Sequence, residues 1–269
     1  MSDLVFPSGL ALPASLDQQC AASSSTGTVR RSIAMNDQKA VIVTGAGGNL
    51  GSAVVRELAN AGAKLVCMNR SSSELEALAG DLPASTEFLS IAGTDLTDYA
   101  SCAAAVARAV KRFGGVSALV NTVGGFQMGP VGPEAPAQWE TMMTANARTA
   151  LTISAAVLPT MKAAGYGRIV HIAAAPGLKA GAKQAAYAAS KAAVIRLTEA
   201  IAAECRDDRI TANCILPGTI DTPENRASMP DAKTDGWVSP QSIARLIAFL
   251  ISPAAAVVTG AAIPATGRE

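Results

Sequence analysis

From residue 39 onward, the chain alternates short apolar runs with longer stretches in which apolar positions recur at helical spacing. The runs KAVIVTG, KLVCMN and VSALVN are rich in β-branched residues and end in glycine or a polar residue, which is typical of strands buried on both faces. In the first intervening stretch, Leu50, Val54, Val55 and Leu58 share one helical face, and Gly62 marks its end. Strands alternating with helices predict an α/β fold, a three-layer, doubly wound parallel sheet.

The same pattern extends to the end of the chain without a linker, a composition shift or an internal repeat, so we predict one domain over residues 35–269. The predicted strands are 39–45, 64–69, 86–91, 116–121, 167–173, 209–216 and a short one near 260–265, and the predicted helices are 49–62, 71–81, 100–115, 136–163, 183–205 and 241–252. Residues 1–34 are rich in Ser, Ala and Gly and lack periodicity, which predicts a disordered tail or a start assigned upstream of Met35. Their serines and Arg30-Arg31 leave a transit peptide open.

Composition narrows the classes of partner. The formal net charge is +1 and there is no basic run, which argues against nucleic acid. No uninterrupted apolar run approaches the ~18 residues of a membrane helix, so we expect no membrane partner. The five cysteines are scattered, which argues against a metal site and favours a reducing, cytoplasmic setting. The single histidine, His171, lies inside an apolar strand and is best interpreted as a core residue.

A glycine-rich turn joins the first predicted strand to the first helix in VIVTGAGGNLGSA, residues 41–53. Glycines at such a turn let the backbone bend tightly and let a pyrophosphate approach the N–H groups at the helix N-terminus. The strand before and the helix after it favour a dinucleotide site of the Rossmann type.

Together with Tyr187 and Lys191, this turn resembles the short-chain dehydrogenase/reductase family, and the resemblance covers nearly all of residues 39–269. The family's usual turn is TGxxxGxG; Thr44, Gly45 and Gly51 match it, Asn49 stands at the middle glycine, and Gly48 fits the TGxxGxxG variant. In NTVG, Asn121 and Gly124 match the first and last positions of the family's NNAG motif. The resemblance implies a dinucleotide-binding catalytic domain. The cofactor-binding residues it implies are Thr44, Gly45, Gly48, Asn49, Leu50, Gly51, Asn69, Arg70, Asp95, Leu96, Asn121, Val123, Gly124, Tyr187, Lys191, Pro217, Gly218, Ile220 and Thr222.

The end of the second strand bears on which dinucleotide is bound. A carboxylate there would bind both ribose hydroxyls and repel a 2′-phosphate, whereas the sequence gives Asn69 and then Arg70. Because a guanidinium suits a phosphate, NADP(H) is favoured, with NAD(H) as the alternative if Arg70 is an ordinary solvated residue.

Tyr187 and Lys191 lie four residues apart, which places them on one helical face. We expect Tyr187 to deliver the proton as hydride leaves the nicotinamide, Lys191 to lower the pKa of the tyrosine and hold the ribose, and Asn146 to position a relay water. These three are the predicted catalytic residues. Most of the family has a serine thirteen residues before the tyrosine, and here that position is Ala174. Gln184, one turn before Tyr187, is a candidate substitute, although a solvent-facing glutamine is the simpler interpretation.

One branch that lacks the serine, the dihydropteridine reductases, has an LDTPxNRxSMPxA loop that residues 220–232 resemble, and VGGF at 123–126 resembles its AGGW. The predicted substrate residues are therefore Phe126, Ala174 and Met229. That branch characteristically prefers NADH, which Asn69-Arg70 does not fit. Three functions stay open: a hydride transfer to a pterin-like ring, a 3-oxoacyl or ketone reductase, and a non-catalytic dinucleotide-binding redox sensor. The resemblance implies a homodimer or homotetramer that acts on a small molecule, with contacts through helices around 140–163 and 184–205.

Overall fold

The computed structural model describes residues 39–267. The predictions for residues 1–34 and for Met35 fall outside the described residues. Seven parallel strands form one sheet: β1 Ala40–Thr44, β2 Leu65–Asn69, β3 Phe88–Ala92, β4 Val116–Asn121, β5 Gly167–Ile172, β6 Ile210–Pro217 and β7 Ala262–Ala265. Their order is β3-β2-β1-β4-β5-β6-β7, which confirms the predicted doubly wound sheet.

Helices cover both faces of this sheet. They are α1 Asn49–Asn60, α2 Ser72–Gly80, α3 Tyr99–Phe113, α4 Ala135–Met142, α5 Thr149–Ala164, α6 Ala185–Glu204, α7 Pro223–Ser228 and α8 Pro240–Ile251. On one face α1 packs against α8, and on the other α3 packs against α5. Each face has its own apolar core, and every residue of β1, β4 and β6 is buried between the two. The continuous apolar runs in the sequence reflect this burial on both faces.

The structure corrects the prediction of one continuous helix over 136–163. Residues Met143–Arg148 form a π-helical segment between α4 and α5. A π turn takes one more residue than an α turn and so changes the direction of the side chains within it. Here it contains Asn146, which is buried against the loop after β4.

The strand order reverses between β1 and β4, whose last residues, Thr44 and Asn121, are partners in the register. In a doubly wound sheet, the loops on either side of such a reversal diverge and leave a crevice at the carboxyl ends of the strands. The loops that follow β1, β4, β5 and β6 therefore meet at one edge.

Within the described part of the chain, no helix is long and apolar enough to cross a bilayer. The same residues include no group of three or more His, Cys, Asp or Glu placed to hold a metal ion.

Candidate active site

A cavity of about 690 Å³ lies at this edge, beside the reversal of strand order. Its lining includes the predicted residues Gly45, Gly48, Asn69, Arg70, Asp95, Leu96, Val123 and Gly124. It also includes residues that the sequence reasoning missed: Met68, Ser71, Glu74, Gly93, Thr94, Thr97, Thr122 and Thr149. The other predicted cofactor residues are not part of this lining: Thr44 and Asn121 are buried behind it, Asn49, Leu50 and Gly51 are on α1, Tyr187 and Lys191 are on α6, and Pro217 to Thr222 follow β6.

The glycine turn is packed so closely that positions 45 and 51 have no room for a side chain. A Cβ added at Gly51 would lie 2.0 Å from the carbonyl oxygen of Gly45. Gly45 has a φ of +66°, and a Cβ there would lie 2.9 Å from Oγ1 of Thr122. That hydroxyl donates to the carbonyl oxygen of Thr44 at 2.7 Å, so Thr122, a departure from NNAG, ties the loop after β4 to the turn.

The turn leaves the N-terminus of α1 open. Gly48 is the N-cap and has no side-chain capping bond, and the first turn of α1 contains no acidic residue. The unpaired N–H groups and the positive end of the helix dipole therefore form a favourable site for an anion. One carboxylate approaches from elsewhere: Oε2 of Glu224, on α7, accepts from Nδ2 of Asn49 at 2.6 Å.

No acid directly follows β2 in the sequence, but the structure brings the carboxylate of Glu74 to this end of the cavity. Ser71 caps α2, and its hydroxyl accepts from the backbone N–H of Glu74 at 3.3 Å. This arrangement turns the carboxylate of Glu74 back to accept from Nδ2 of Asn69. The S-x-x-E pattern of a capping box in SSSE is the sequence signal that could have indicated it. Arg70 is exposed beside the same cavity.

Asp95 lies at another wall of the cavity, after β3. Its Oδ1 accepts from both the backbone N–H of Thr97, at 2.8 Å, and the hydroxyl of Thr97, at 2.7 Å. These bonds lower the pKa of Asp95, which holds the carboxylate ionised and oriented.

Tyr187, Lys191 and Asn146 meet around the loop after β4. Nζ of Lys191 lies 5.9 Å from the ring centroid of Tyr187 and donates to the carbonyl oxygen of Ile172 at 2.9 Å. A Cβ on Gly124 would lie 2.7 Å from Oδ1 of Asn146 and 3.1 Å from Nζ of Lys191. The absence of a side chain at Gly124 therefore allows Asn146 and Lys191 to approach each other.

Asn146 is fixed by bonds to both backbone groups of one residue. Its Oδ1 accepts from the N–H of Gly125 at 2.9 Å, and its Nδ2 donates to the carbonyl oxygen of Gly125 at 3.1 Å. Nδ2 also donates to Oγ of Ser190 at 3.0 Å, and that hydroxyl donates to the carbonyl oxygen of Tyr187 at 2.7 Å. Ser190, which sequence reasoning missed, thus links the π segment to the turn of α6 that contains the tyrosine.

Burial determines the protonation states of Tyr187 and Lys191. It raises the pKa of Tyr187 and lowers that of Lys191 to about 8. Desolvation sets the direction of the shift at Tyr187 in this structure, and the expectation that Lys191 lowers the pKa of the tyrosine stays a prediction. At neutral pH, Tyr187 is a protonated acid.

The predicted substrate residues lie on different loops around Tyr187. The ring of Phe126 is 64% exposed and meets the ring of Tyr187 edge-on, with the centroids 4.8 Å apart. Ala174 is buried beside the end of β5, and Met229 is exposed at the end of α7. After β6, Thr222 caps α7 by accepting from the N–H of Asn225 at 3.2 Å.

His171 is buried in the core, as interpreted from the sequence. Its Nδ1 lies 3.4 Å from Nδ2 of Asn121 and its Nε2 lies 3.2 Å from Oγ of Ser154. Asn121 also accepts at Oδ1 from the hydroxyl of Thr44, at 2.6 Å. Burial, with a smaller contribution from Lys191, lowers the pKa of His171 to about 4, so the ring is neutral at pH 7.

The comparison with protein families agrees with the site that these residues form at the sheet edge. The model of the short chain dehydrogenase family matches residues 39–233. The chain belongs to this family. Family membership implies an NAD(P)-dependent oxidoreductase and a nicotinamide dinucleotide cofactor.

Relatives of known name cover most of the chain. It is 31% identical over 247 residues to an acetoacetyl-CoA reductase of Acinetobacter sp., covering 87% of this chain and 98% of the relative. It is 31% identical over 237 residues to a 3-oxoacyl-[acyl-carrier-protein] reductase of Vibrio cholerae, covering 85% and 96%. The crystal structure of levodione reductase superposes with a TM-score of 0.79 at 29% identity, covering 85% of this chain and 96% of that one.

Proposed function

We propose that this protein is a carbonyl reductase that favours NADP(H), with Tyr187 as the proton donor to the substrate oxygen. The carrying observation is the cluster of Tyr187 with the buried Lys191 and Asn146, beside a cavity bordered by the glycine turn. The reductase names of the two sequence relatives support a ketone or 3-oxoacyl thioester as substrate.

The residues of the cavity fit a dinucleotide. The glycine turn and the open N-terminus of α1 would hold the pyrophosphate, and Asp95 with Leu96 would border the adenine. Val123 and Gly124 would border the dinucleotide between the pyrophosphate and α6, where Lys191 would bind the ribose next to the nicotinamide. The loop from Pro217 to Thr222 would hold the carboxamide.

When bound, the reduced cofactor supplies a hydride for the carbonyl carbon. Tyr187 then donates its phenolic proton to the carbonyl oxygen, so that hydride and proton together convert C=O to CH–OH. The raised pKa of Tyr187 suits this direction, because the residue is in its acid form at neutral pH. Lys191, through Ile172, and Asn146, through Ser190, fix the turn of α6 that contains the tyrosine, and they would return a proton to it through water.

Arg70 supports the preference for NADP(H). Its exposed guanidinium lines the cavity and carries no ion pair with Glu74 in the described structure, since the carboxylate of Glu74 is held by Asn69 instead. We predict that Arg70→Ala raises KM for NADPH by about tenfold or more, the ~1.4 kcal/mol or more expected for a charge-assisted phosphate contact, and leaves KM for NADH within about twofold. Steady-state kinetics with both cofactors measures this. Glu74→Gln is the matched control, which should improve NADPH binding if its carboxylate opposes the phosphate; equal effects of Arg70→Ala on both cofactors would contradict the assignment.

The assay of the function itself is oxidation of NADPH and NADH with three acceptors: acetoacetyl-CoA, a cyclic diketone and a quinonoid dihydropterin. Turnover of either ketone supports the proposal. Cofactor binding without turnover of any acceptor would contradict it and favour the redox sensor.

A pterin-like ring is the second candidate, because Phe126 offers an exposed aromatic face beside Tyr187. A planar conjugated ring could stack on it. Rapid turnover of the dihydropterin alone would favour this function over ketone reduction, and Phe126→Ala should then raise KM for the pterin.

We also propose a homodimer or homotetramer in the cytoplasm. Trp139 on α4 and Leu151 on α5 are 45% and 53% exposed, which leaves apolar surface for a second copy. The four cysteines in the described residues are buried free thiols, in keeping with a reducing compartment. Light scattering after size-exclusion chromatography tests the assembly.

A further inference from the structure

The site as described lacks a second donor for the substrate oxygen. Negative charge develops on that oxygen as hydride arrives, and Ala174 has no group that could stabilise it. Nδ2 of Asn146 donates to Gly125 and Ser190, and Nζ of Lys191, which donates to Ile172, is assigned above to the ribose. Loss of one such donor typically costs ~10²–10³ in rate, so its absence needs an explanation in a working enzyme.

Gln184 is placed to supply this donor. It is the N-cap of α6, three residues before Tyr187, and this is the spacing at which an N-cap side chain reaches the third residue of the helix in a capping box. Its side chain is partly buried rather than fully solvent-facing.

The amide of Gln184 is held in one orientation. Its Oε1 accepts from the backbone N–H of Gly181 at 2.9 Å. A flipped amide would present N–H to N–H, so the oxygen stays with Gly181. A Cβ on Gly181 would lie 3.1 Å from Oε1 and 3.9 Å from Nε2, so the oxygen is the atom of the amide closer to Gly181. Nε2 donates to no other group in the described structure, so both of its N–H bonds are free for a ligand.

We propose that Nε2 of Gln184 donates a hydrogen bond to the substrate oxygen and replaces the hydroxyl that Ala174 lacks. The inference rests on the proposed carbonyl reduction. The oxygen would then receive the proton of Tyr187, in the first turn of α6, and the amide hydrogen bond of Gln184, the residue that caps this helix. Gly181 holds the amide in place before the substrate arrives, so little orientation is lost on binding.

Two variants of Gln184 separate donation from loop anchoring. Gln184→Glu keeps an oxygen that can accept from Gly181 but removes the N–H donor, and Gln184→Ala removes both. With acetoacetyl-CoA and NADPH, we expect each to lower kcat by about 10²-fold and to leave KM for NADPH within about twofold. If the glutamine only anchors the loop, Gln184→Glu keeps the kcat of the unchanged protein, and that result would overturn the proposal.

A double-mutant cycle between positions 174 and 184 tests whether the serine and the glutamine act on the same oxygen. Ala174→Ser should raise kcat by less than about threefold in the unchanged protein, where Gln184 already donates, and by about tenfold or more in the Gln184→Ala background. Equal gains in both backgrounds would show independent effects and overturn the inference. Absence of turnover by the unchanged protein would instead contradict the proposed function, and the inference with it, so the two failures are distinguishable.

Discussion

Gly51→Ala tests whether the glycine turn is shaped by close backbone packing. The added Cβ would lie 2.0 Å from the carbonyl oxygen and 2.8 Å from the carbonyl carbon of Gly45, and 2.9 Å from Cα of Ala46. All three are backbone atoms, so no side chain can rotate away and the turn itself must move. Overpacking of this kind typically costs ~1–3 kcal/mol, and the severity of this overlap places it at the upper end.

A loss of ~3 kcal/mol corresponds to a fall in Tm of roughly 6–12 °C for a domain of this size. Because a displaced turn no longer presents its N–H groups correctly, we also expect the Kd for NADPH to rise about tenfold or more at a temperature at which the variant is folded. Urea denaturation and a fluorescence titration with NADPH measure the two effects.

Gly80→Ala is the matched control. Gly80 ends α2, and no atom lies within 4 Å of its added Cβ. Alanine there should stabilise the protein by ~0.4–1 kcal/mol through the unfolded chain and leave NADPH binding unchanged. If Gly51→Ala behaves like Gly80→Ala in both assays, the packing argument for the turn is refuted.

Two further predictions concern pH. His171 has a pKa of about 4 in the folded protein against 6.5 for a free side chain, so the unfolded state binds the proton first. The free energy of unfolding should therefore fall by ~3 kcal/mol as pH drops from 6.5 to 4, and urea denaturation across this range measures it. A loss of the same size in His171→Gln would contradict the assignment. The raised pKa of Tyr187 predicts that ketone reduction is flat through neutral pH and falls only in alkali, whereas alcohol oxidation rises with pH; opposite trends in the pH profiles of kcat would show that the tyrosine is not the acid.

The sheet could be predicted from the sequence because its strands are buried on both faces. β1 is an apolar run up to Thr44, and β4 and β6 are mostly apolar with isolated polar residues; runs of that kind have few other structural solutions. The helical spacing in α1 likewise reflects its packing on the sheet and on α8. The confirmed fold therefore followed from local pattern alone.

Details that depend on long-range contacts could not be read in this way. The π segment at Met143–Arg148 leaves no mark in periodicity, and the bond of its Asn146 to Gly125 joins it to another loop. The bond between Asn49 and Glu224 joins residues 175 positions apart. The direction of the pKa shift of Tyr187 depends on burial, which spacing on a helix does not reveal.

Glu74 is a different case, because its signal was present in the sequence. The capping box in SSSE places its carboxylate near the start of α2, and therefore near the end of β2. Considering only Asn69 and Arg70 missed a carboxylate one helical turn further along the chain. Recognition of helix caps would have brought both charges of this end of the cavity into the sequence prediction.

The most direct test of the account compares the unchanged protein with Tyr187→Phe, using NADPH and acetoacetyl-CoA. The variant keeps the ring that packs against Phe126 and loses only the hydroxyl. The account predicts turnover by the unchanged protein, a fall in kcat of ~10²-fold or more in the variant, and the same Kd for NADPH in both. Equal kcat values would contradict the assignment of Tyr187 as proton donor and, with it, the account of this site as a carbonyl reductase.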